Sequence, residues 1–207
     1  MKKVQKQNAG PRESGSAKPN AIVMAGLELF IRYGYRKTSI DDIAEAAQVA
    51  KRTVYLHFEN KAAVFLAILE YLGDLVRQRC VAVERMRGTT VYRLTGLLDA
   101  YFGMGFELFS KSAHMPELEE TFSKLAQSTI GDLNTEYQER LSIFLRSLEK
   151  TGEIGGPPKG LSVEQLVHIL IRAAEGVKRD PKLQGDPKAF QRRLRELAIL
   201  AIAAMRK

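Results

Sequence analysis

The chain of 207 residues can hold one large domain, or a small domain joined to a larger one, and its 45% hydrophobic residues supply an ample core. The formal net charge of +8 favours a polyanionic partner over an acidic substrate. This charge gathers towards the amino end, because residues 1–61 carry 11 lysines and arginines against 6 aspartates and glutamates. A basic tail kept for solubility is the competing interpretation of that imbalance.

Cysteine content and apolar runs limit the compartment. The single cysteine, Cys80, excludes a disulfide within the chain, and its apolar surroundings predict a buried packing role in a reducing environment. Residues 1–20 lack the apolar central run of a signal peptide. The longest apolar run, residues 197–205, is shorter than the roughly 20 residues that span a bilayer. The composition therefore predicts a soluble, cytoplasmic protein.

The amino-terminal part begins with a polar tail and a first helix. Residues 1–19 are rich in Lys, Gln, Gly, Ser and Pro without a hydrophobic period, which predicts a disordered basic tail. Such a tail either follows a nucleic-acid backbone or minor groove, as basic arms do, or is inert. Asn20 is the expected cap of a helix that starts at Ala21 and is stopped by Tyr33-Gly34-Tyr35, with the glycine just past its end.

Two short helices joined by a tight turn follow. Ser39 and Asp42 form a capping box at the start of the first helix, and Lys51 opens the second. Apolar residues at helical spacing would pack the two helices against each other. The outer face of the second helix keeps a row of hydrogen-bond donors, which suits a rod that lies in the major groove of DNA.

The rest of the chain has the pattern of helices. A fourth helix starts near Asn60 and Lys61, and apolar residues recur at intervals of three and four in the later segments. These segments are residues 91–110, 116–128, 129–151, 162–178 and 187–206. No segment has the period of a strand, so we predict an all-α fold. It comprises a helix-turn-helix DNA-binding domain over residues 20–70 and a larger helical domain over residues 71–207.

Residues 21–70 combine an amphipathic helix, Gly-Tyr, a capped helix, a turn, a donor-rich helix and then His-Phe-x-Asn-Lys. In this combination they resemble the DNA-binding domain of the TetR family of transcriptional regulators. The matching residues are Ala25, Leu29, Phe30, Gly34, Tyr35, Thr38, Ser39, Ile40, Ile43, Ala44, Ala47, Val49, Lys51, Thr53, Tyr55, His57, Phe58 and Lys61. Two positions depart from the family pattern: Gln48 replaces the turn glycine, and Ala50 replaces the serine that usually caps the recognition helix, a loss of about 1 kcal/mol.

The resemblance and the chemistry of the side chains together give a set of candidate DNA contacts. These residues are Thr38, Ser39, Lys51, Arg52, Thr53, Tyr55, His57 and Lys61. We assign base reading to Arg52 and Thr53, near the start of the recognition helix, with a phosphate contact as the alternative for Arg52. The others would bind phosphates and position the helix. A core aromatic is the competing interpretation for Tyr55, and a local cap is the one for His57.

For residues 71–207 the resemblance implies a helical domain that dimerises and holds a small-molecule pocket. Residues 162–178 and 187–206 look like the closing helix pair of a four-helix interface between two subunits, with core packing inside one subunit as the alternative. Aromatic residues crowd residues 91–109, which suits either the wall of an apolar pocket or an ordinary core. The candidate pocket residues, for a lipophilic or aromatic effector, are Tyr101, Phe102, Phe106, Phe122 and Tyr137.

Other chemistries find little support in the sequence. His57, His114 and His168 lack metal-ligand partners at a suitable spacing, and no nucleotide loop or nucleophile motif is visible. We therefore expect no metal, no cofactor, no membrane partner and no enzymatic activity. The prediction is a homodimeric regulator that represses from a palindromic operator on double-stranded DNA and releases it on binding a small effector. The alternative is a DNA-binding regulator without such an effector, controlled by a protein partner.

Overall fold

The computed structural model of the protein describes residues 17–205. The α-helices of this range are α1 (Ala17–Tyr33), α2 (Ile40–Ala46), α3 (Lys51–His57), α4 (Lys61–Arg85), α5 (Thr90–Leu98), α6 (Met104–Phe109), α7 (Met115–Leu125), α8 (Gln127–Lys150), α9 (Val163–Lys178) and α10 (Pro187–Ala204). A π-helical turn (Asp99–Gly103) joins α5 to α6, and a 3-10 turn (Pro181–Leu183) precedes α10. Residues 17–205 contain no strand, which confirms the all-α prediction.

The first helix starts earlier than the sequence predicts. It begins at Ala17, although Asn20 had the features of a cap. Most of the predicted basic tail, residues 1–16, lies outside the described residues. Across residues 17–205, none of the helices combines the length and the apolar character needed to cross a membrane.

The first four helices pack around one apolar cluster. Its buried members include Ile22 of α1, Ile43 of α2, Val54 of α3 and Val64 of α4, each with no exposed surface. Side-chain caps stabilise the starts of α2 and α4, because the first backbone amides of a helix lack partners inside it. The predicted capping box of α2 is present, and Asn60 caps α4 by accepting a hydrogen bond from the Ala63 amide at 2.9 Å.

The boundary predicted between residues 70 and 71 falls inside a continuous helix. The first part of α4 buries Phe65 in the amino-terminal bundle of α1 to α4. Its later part buries Leu72, Val76 and Cys80 in the larger bundle, which contains α5 to α10. Burial raises the pKa of the Cys80 thiol to about 11, which fits a packing role. The division into two domains stays a prediction, and α4 connects the two bundles without a flexible linker.

The larger bundle is built around α5, the π-helical turn and α6. The ring of Phe106 stacks on Phe190 of α10 with centroids 4.1 Å apart, and Tyr101 stacks on Tyr137 of α8 at 4.2 Å. The Tyr137 hydroxyl donates a hydrogen bond to the Leu97 carbonyl at 3.0 Å. These aromatic contacts hold α8 and α10 against the central helix.

The apolar stripes of α9 and α10 pack inside the subunit, so core packing is the correct interpretation for most of their apolar residues. The buried side chains are Val163, Leu166, Val167, Leu170, Ile171, Ala174, Phe190, Leu194, Ala198 and Ala201. Large apolar side chains that remain exposed on these helices are Ile169 (53%), Ile199 (38%) and Leu200 (66%). Any contact of this helix pair with another subunit would therefore use these outer residues rather than the buried stripes.

Candidate nucleic-acid interface

The packing of α2 against α3 decides which side of α3 faces solvent. Ile43 and Ala44 of α2 and Val54 of α3 are buried in the amino-terminal bundle. On α3, this leaves a set of exposed side chains: Lys51, Arg52, Tyr55, Leu56 and His57. An α-helix with its side chains is about 10–12 Å in diameter, which matches the width of a DNA major groove.

The turn between α2 and α3 adopts the conformation that a glycine would favour. Gln48 has a φ of +54°, in the left-handed region. The turn closes through a hydrogen bond from the Val49 amide to the Ala44 carbonyl at 2.9 Å. Ala50 precedes α3 and supplies no side-chain cap. Both departures from the family pattern therefore have the local consequences expected from the sequence.

The exposed residues of α3 differ in how firmly they are held. Lys51 forms an ion pair with Asp41 of α2, with Nζ and Oδ2 2.9 Å apart, and the hydrogen bond to Asp41 raises the pKa of Lys51. Arg52 is exposed and makes no ion pair within residues 17–205. Tyr55 is 50% exposed, which argues against a core role for its ring. His57 is exposed beside Phe58, and Thr53 is half-buried.

Thr38 and Ser39 use their hydroxyl groups inside the protein. Thr38 is 3% exposed, and its Oγ1 donates to the Gly34 carbonyl at 2.8 Å. Ser39 Oγ accepts from the Asp42 amide at 3.1 Å and donates to the Asp42 carboxylate at 2.7 Å. The hydrogen bonds that the Ser39 hydroxyl and amide donate to the Asp42 carboxylate lower the pKa of Asp42. Both hydroxyl groups stabilise the start of α2, so a phosphate contact from either would compete with an internal bond.

Lys61 has a structural role that the sequence did not indicate. Its Nζ donates to the carbonyls of Tyr35 and Thr38 at 2.7 and 2.8 Å and lies 4.4 Å from the centre of the Tyr35 ring. Burial lowers the pKa of this half-buried ammonium group. Lys61 therefore ties the start of α4 to the loop between α1 and α2, and its predicted phosphate contact stays a prediction.

Leu56 is a candidate contact that the sequence analysis missed. It lies on α3 between Tyr55 and His57 and is 72% exposed. An apolar side chain on this face can contact a thymine methyl group in the major groove. Helical spacing could have identified it, since Leu56 lies four residues after Arg52 on the same side of the helix.

A second candidate site is a cavity of about 430 Å³ in the larger bundle. Tyr101, Phe102 and Phe106 line it, as the sequence suggested. Phe122 and Tyr137 are not among its lining residues. Phe122 packs on Phe65 of α4 at 5.1 Å, and Tyr137 lies behind Tyr101. The rest of the lining was not singled out by the sequence and combines apolar, polar and charged side chains. It includes Phe109, Ser110, Met115, Ile130, Asn134, Lys178, Arg179, Glu119, Glu175 and Asp180.

Metal chemistry finds no site in the part of the chain that the structure describes. Residues 17–205 contain no group of three or more His, Cys, Asp or Glu side chains that could hold an ion. His114 instead lies 3.9 Å from the Glu117 carboxylate, near the loop after α1.

The geometry is that of a helix-turn-helix domain joined to a larger helical bundle with a cavity. Residues 22–68 match the family model described as bacterial regulatory proteins, tetR family. The resemblance to this family is thereby confirmed, and the amino-terminal domain is of the TetR type.

The sequence similarity to individual related proteins covers different shares of the chain. RutR, an HTH-type transcriptional regulator of Escherichia coli strain K12, is 37% identical over 60 residues, which cover 29% of this chain and 28% of RutR. The transcriptional repressor DhaR of Mycobacterium sp. strain GP1 is 26% identical over 160 residues, 75% of this chain and 77% of DhaR. With RutR, the chain therefore shares little more than a quarter of that protein's length.

Solved structures share the whole fold at low identity. A putative TetR-family transcriptional regulator from Rhodococcus sp. superposes with a TM-score of 0.71 at 18% identity, over 90% of this chain and all of the other. The transcriptional regulator FadR of Bacillus subtilis, in complex with stearoyl-CoA, gives 0.63 at 18% identity, over 89% and 98% of the two chains. At such identity these structures establish the fold alone.

Replacing Gln48 by glycine should stabilise the protein by about 1 kcal/mol, because glycine adopts a positive φ without the Cβ clash. Urea denaturation followed by circular dichroism measures the change. The matched control is Gln78→Gly in the exposed middle of α4, where the same substitution should destabilise by about 1 kcal/mol. A loss of stability at both positions would contradict the conformational argument.

Proposed function

We propose that the protein is a TetR-family transcriptional regulator that binds double-stranded DNA through α3. The observation that carries this proposal is the outer face of α3, where Arg52, Tyr55 and His57 are exposed while Val54 anchors the helix from behind. A rigidly packed helix with exposed donors can enter a major groove without losing side-chain contacts of its own.

We assign a DNA contact to each exposed residue of α3 according to whether its side chain has an ion-pair partner inside the protein. Arg52 has no ion pair within residues 17–205 and lies in the first turn of α3, so it is assigned to base reading. We assign phosphate contacts to Lys51, which is paired with Asp41, and to the exposed Tyr55 and His57. The net charge of +8 adds a long-range attraction for the duplex that falls with ionic strength.

Replacing Arg52 by alanine should reduce affinity for a specific duplex by about tenfold, because a bidentate contact to guanine contributes roughly 1–3 kcal/mol. The duplex is obtained by selection from a random pool, and affinity is measured by fluorescence anisotropy. Random DNA should bind the variant almost as well as it binds the wild type. The control is Arg192→Ala on the exposed side of α10, which should change neither affinity. Equal loss on both kinds of DNA would limit Arg52 to phosphate.

We further propose that two copies of the chain bind together. The support is the exposed apolar set of Ile169, Ile199 and Leu200 on α9 and α10, since large apolar side chains outside the subunit core favour association. A two-fold pairing of this face would present two copies of α3 to successive major grooves. A palindromic operator then follows from the symmetry of the protein.

Replacing Leu200 by glutamate should convert the dimer into monomers, because a charge at the centre of an apolar interface is desolvated without a partner. Sedimentation velocity measures the change, and affinity for the selected duplex should fall with it. Ile143→Glu on α8 is the control, since Ile143 is 67% exposed but lies on another helix. A variant at Leu200 that stays dimeric would exclude this face as the interface.

We also propose that a small effector in the cavity releases the operator, which makes the protein a repressor. The support is a direct route from the cavity to the DNA-binding domain. Phe109 and Met115 line the cavity at the two ends of the segment that follows α6. Between them, Ser112 Oγ donates to the Ile31 carbonyl at 2.6 Å, and just beyond them Glu117 accepts from the Arg36 amide at 2.5 Å. A ligand that moves this segment shifts the loop that supports α2.

Aromatic rings form a second connection along the same route. Phe109 packs edge-on against Phe122 of α7 at 6.1 Å, and Phe122 packs on Phe65 of α4 at 5.1 Å. Phe65 in turn contacts Phe30 and Tyr35 at 5.7 and 5.3 Å. A protein partner could act on the same elements, but a cavity of about 430 Å³ beside Phe109 favours a small ligand.

Replacing Glu117 by alanine should weaken the effect of an effector on DNA binding, because it removes the acceptor that joins α7 to the Arg36 amide. The effector is any compound that a thermal-shift screen shows to bind the protein. The variant should bind the effector with an affinity within about twofold of wild type. The factor by which the effector lowers affinity for the duplex should be about tenfold smaller in the variant, in line with ordinary coupling energies. Glu139→Ala, an exposed carboxylate on α8, is the control. Unchanged coupling in the Glu117 variant would exclude this route.

A further inference from the structure

We propose that the cavity of the larger bundle binds a ligand with an apolar body and one anionic head group, and that Lys178 binds the head group. This inference deepens the proposed function and rests on it only for the regulatory consequence of binding. It names a ligand class more restricted than the lipophilic or aromatic effector that the aromatic composition suggests.

The apolar body would lie against aromatic walls. The aromatic and long aliphatic side chains of the lining are Tyr101, Phe102, Phe106, Phe109, Met115 and Ile130. The π-helical turn contributes the first two of them, and such turns are often found at functional sites because they alter the register of a helix. A volume of about 430 Å³ lies within the range of cavities that hold small organic ligands.

Lys178 is the charged group best placed to recognise an anion. It is the last residue of α9, is half-buried, and its Nζ lies 3.9 Å from where a Cβ on Gly105 would stand. Within residues 17–205 no carboxylate oxygen lies inside 4.0 Å of this Nζ, and it donates no hydrogen bond. An ammonium group that has lost part of its hydration without gaining an ion pair is stabilised by an incoming anion.

The pKa of Lys178 reports the same environment. Burial lowers it, and the charges of Glu119 and Glu175 oppose that shift without a direct contact. Glu175 is already paired with Arg172 at 2.7 Å, and Asp180 accepts from the Lys182 amide at 2.9 Å. Two of the three carboxylates that line the cavity, Glu175 and Asp180, therefore have partners elsewhere. The third carboxylate, Glu119, and the other lining cation, Arg179, are exposed to solvent, whereas Lys178 is half-buried.

Two neutral polar groups also line the cavity. Ser110 Oγ is buried and has no hydrogen-bond partner among the described residues. Asn134 accepts a hydrogen bond from the Tyr101 hydroxyl through its Oδ1, which leaves its amide group as a donor. Lys178, Ser110 and Asn134 can all donate, so an oxygen-rich head group such as a carboxylate or a sulfonate matches them.

The test compares two fluorescent probes that share an aromatic body. 1-Anilinonaphthalene-8-sulfonate carries an anionic group, and N-phenyl-1-naphthylamine lacks it. The variant Lys178→Met keeps the length of the side chain and removes the charge. It should lose about tenfold or more in affinity for the sulfonate probe, as expected for a charge-assisted hydrogen bond. Its affinity for the neutral probe should stay within about twofold of wild type.

Three further variants complete the test. Lys178→Arg should keep the sulfonate affinity, and Lys182→Met, an exposed lysine in the 3-10 turn, should not change it. Gly105→Leu should reduce the affinity for both probes, because its side chain would extend into the cavity next to Lys178. The inference is overturned if Lys178→Met binds the sulfonate normally, if it loses both probes equally, or if Gly105→Leu binds both unchanged.

Probe binding is measured without DNA, so it separates this inference from the proposed function. The same probes are then titrated into the complex with the selected duplex. Selective loss of the sulfonate probe in Lys178→Met supports the ligand class even where the duplex stays bound, and that result would count only against ligand-controlled release. Release of the duplex by both probes alike, with no dependence on Lys178, would support control by a ligand and reject the anionic class.

Discussion

The contact between the loop after α1 and the start of α4 is the constraint on which the rest of the structure depends. Lys61 forms this contact through its ammonium group, which donates hydrogen bonds to the carbonyls of Tyr35 and Thr38. One turn later in α4, Phe65 packs against Phe30. This contact fixes α2 and α3 relative to α4, and α4 continues into the larger bundle. The position of α3 is thereby linked to the core that surrounds the cavity, because close-packed interiors transmit displacements rather than absorb them.

The polar residues near α3 fall into two groups, those with a hydrogen-bond partner inside the protein and those without one. Thr38, Ser39 and Lys61 have internal partners, and removing them would cost stability before it affected a DNA contact. Arg52 and Tyr55 are exposed without such partners, so their chemistry is free for another molecule. The same reasoning distinguishes Lys178 from the other lysines around the bundle, since a half-buried cation without an ion pair is unusual.

Local features of the fold were predictable from the sequence, and the distant partners of each helix face were not. The capping box at Ser39, the strained turn at Gln48 and the missing cap at Ala50 follow from residues within four positions of one another. The residues that line the cavity were harder to predict from the sequence. Tyr101 and Tyr137 carry the same apolar signal, yet one lines the cavity and the other is buried behind it.

The sequence by itself determined the helical class, the helix-turn-helix motif and the resemblance to the TetR family, because caps, turns and apolar periodicity act over a few residues. Only the tertiary structure decided that the apolar stripes of α9 and α10 belong to the subunit core, and that Lys61 supports a loop. It also decided that Lys178 meets residues of α6 and α8 around one cavity. These relations join residues far apart in the chain, and helical spacing carries no information about which distant helix each face will meet.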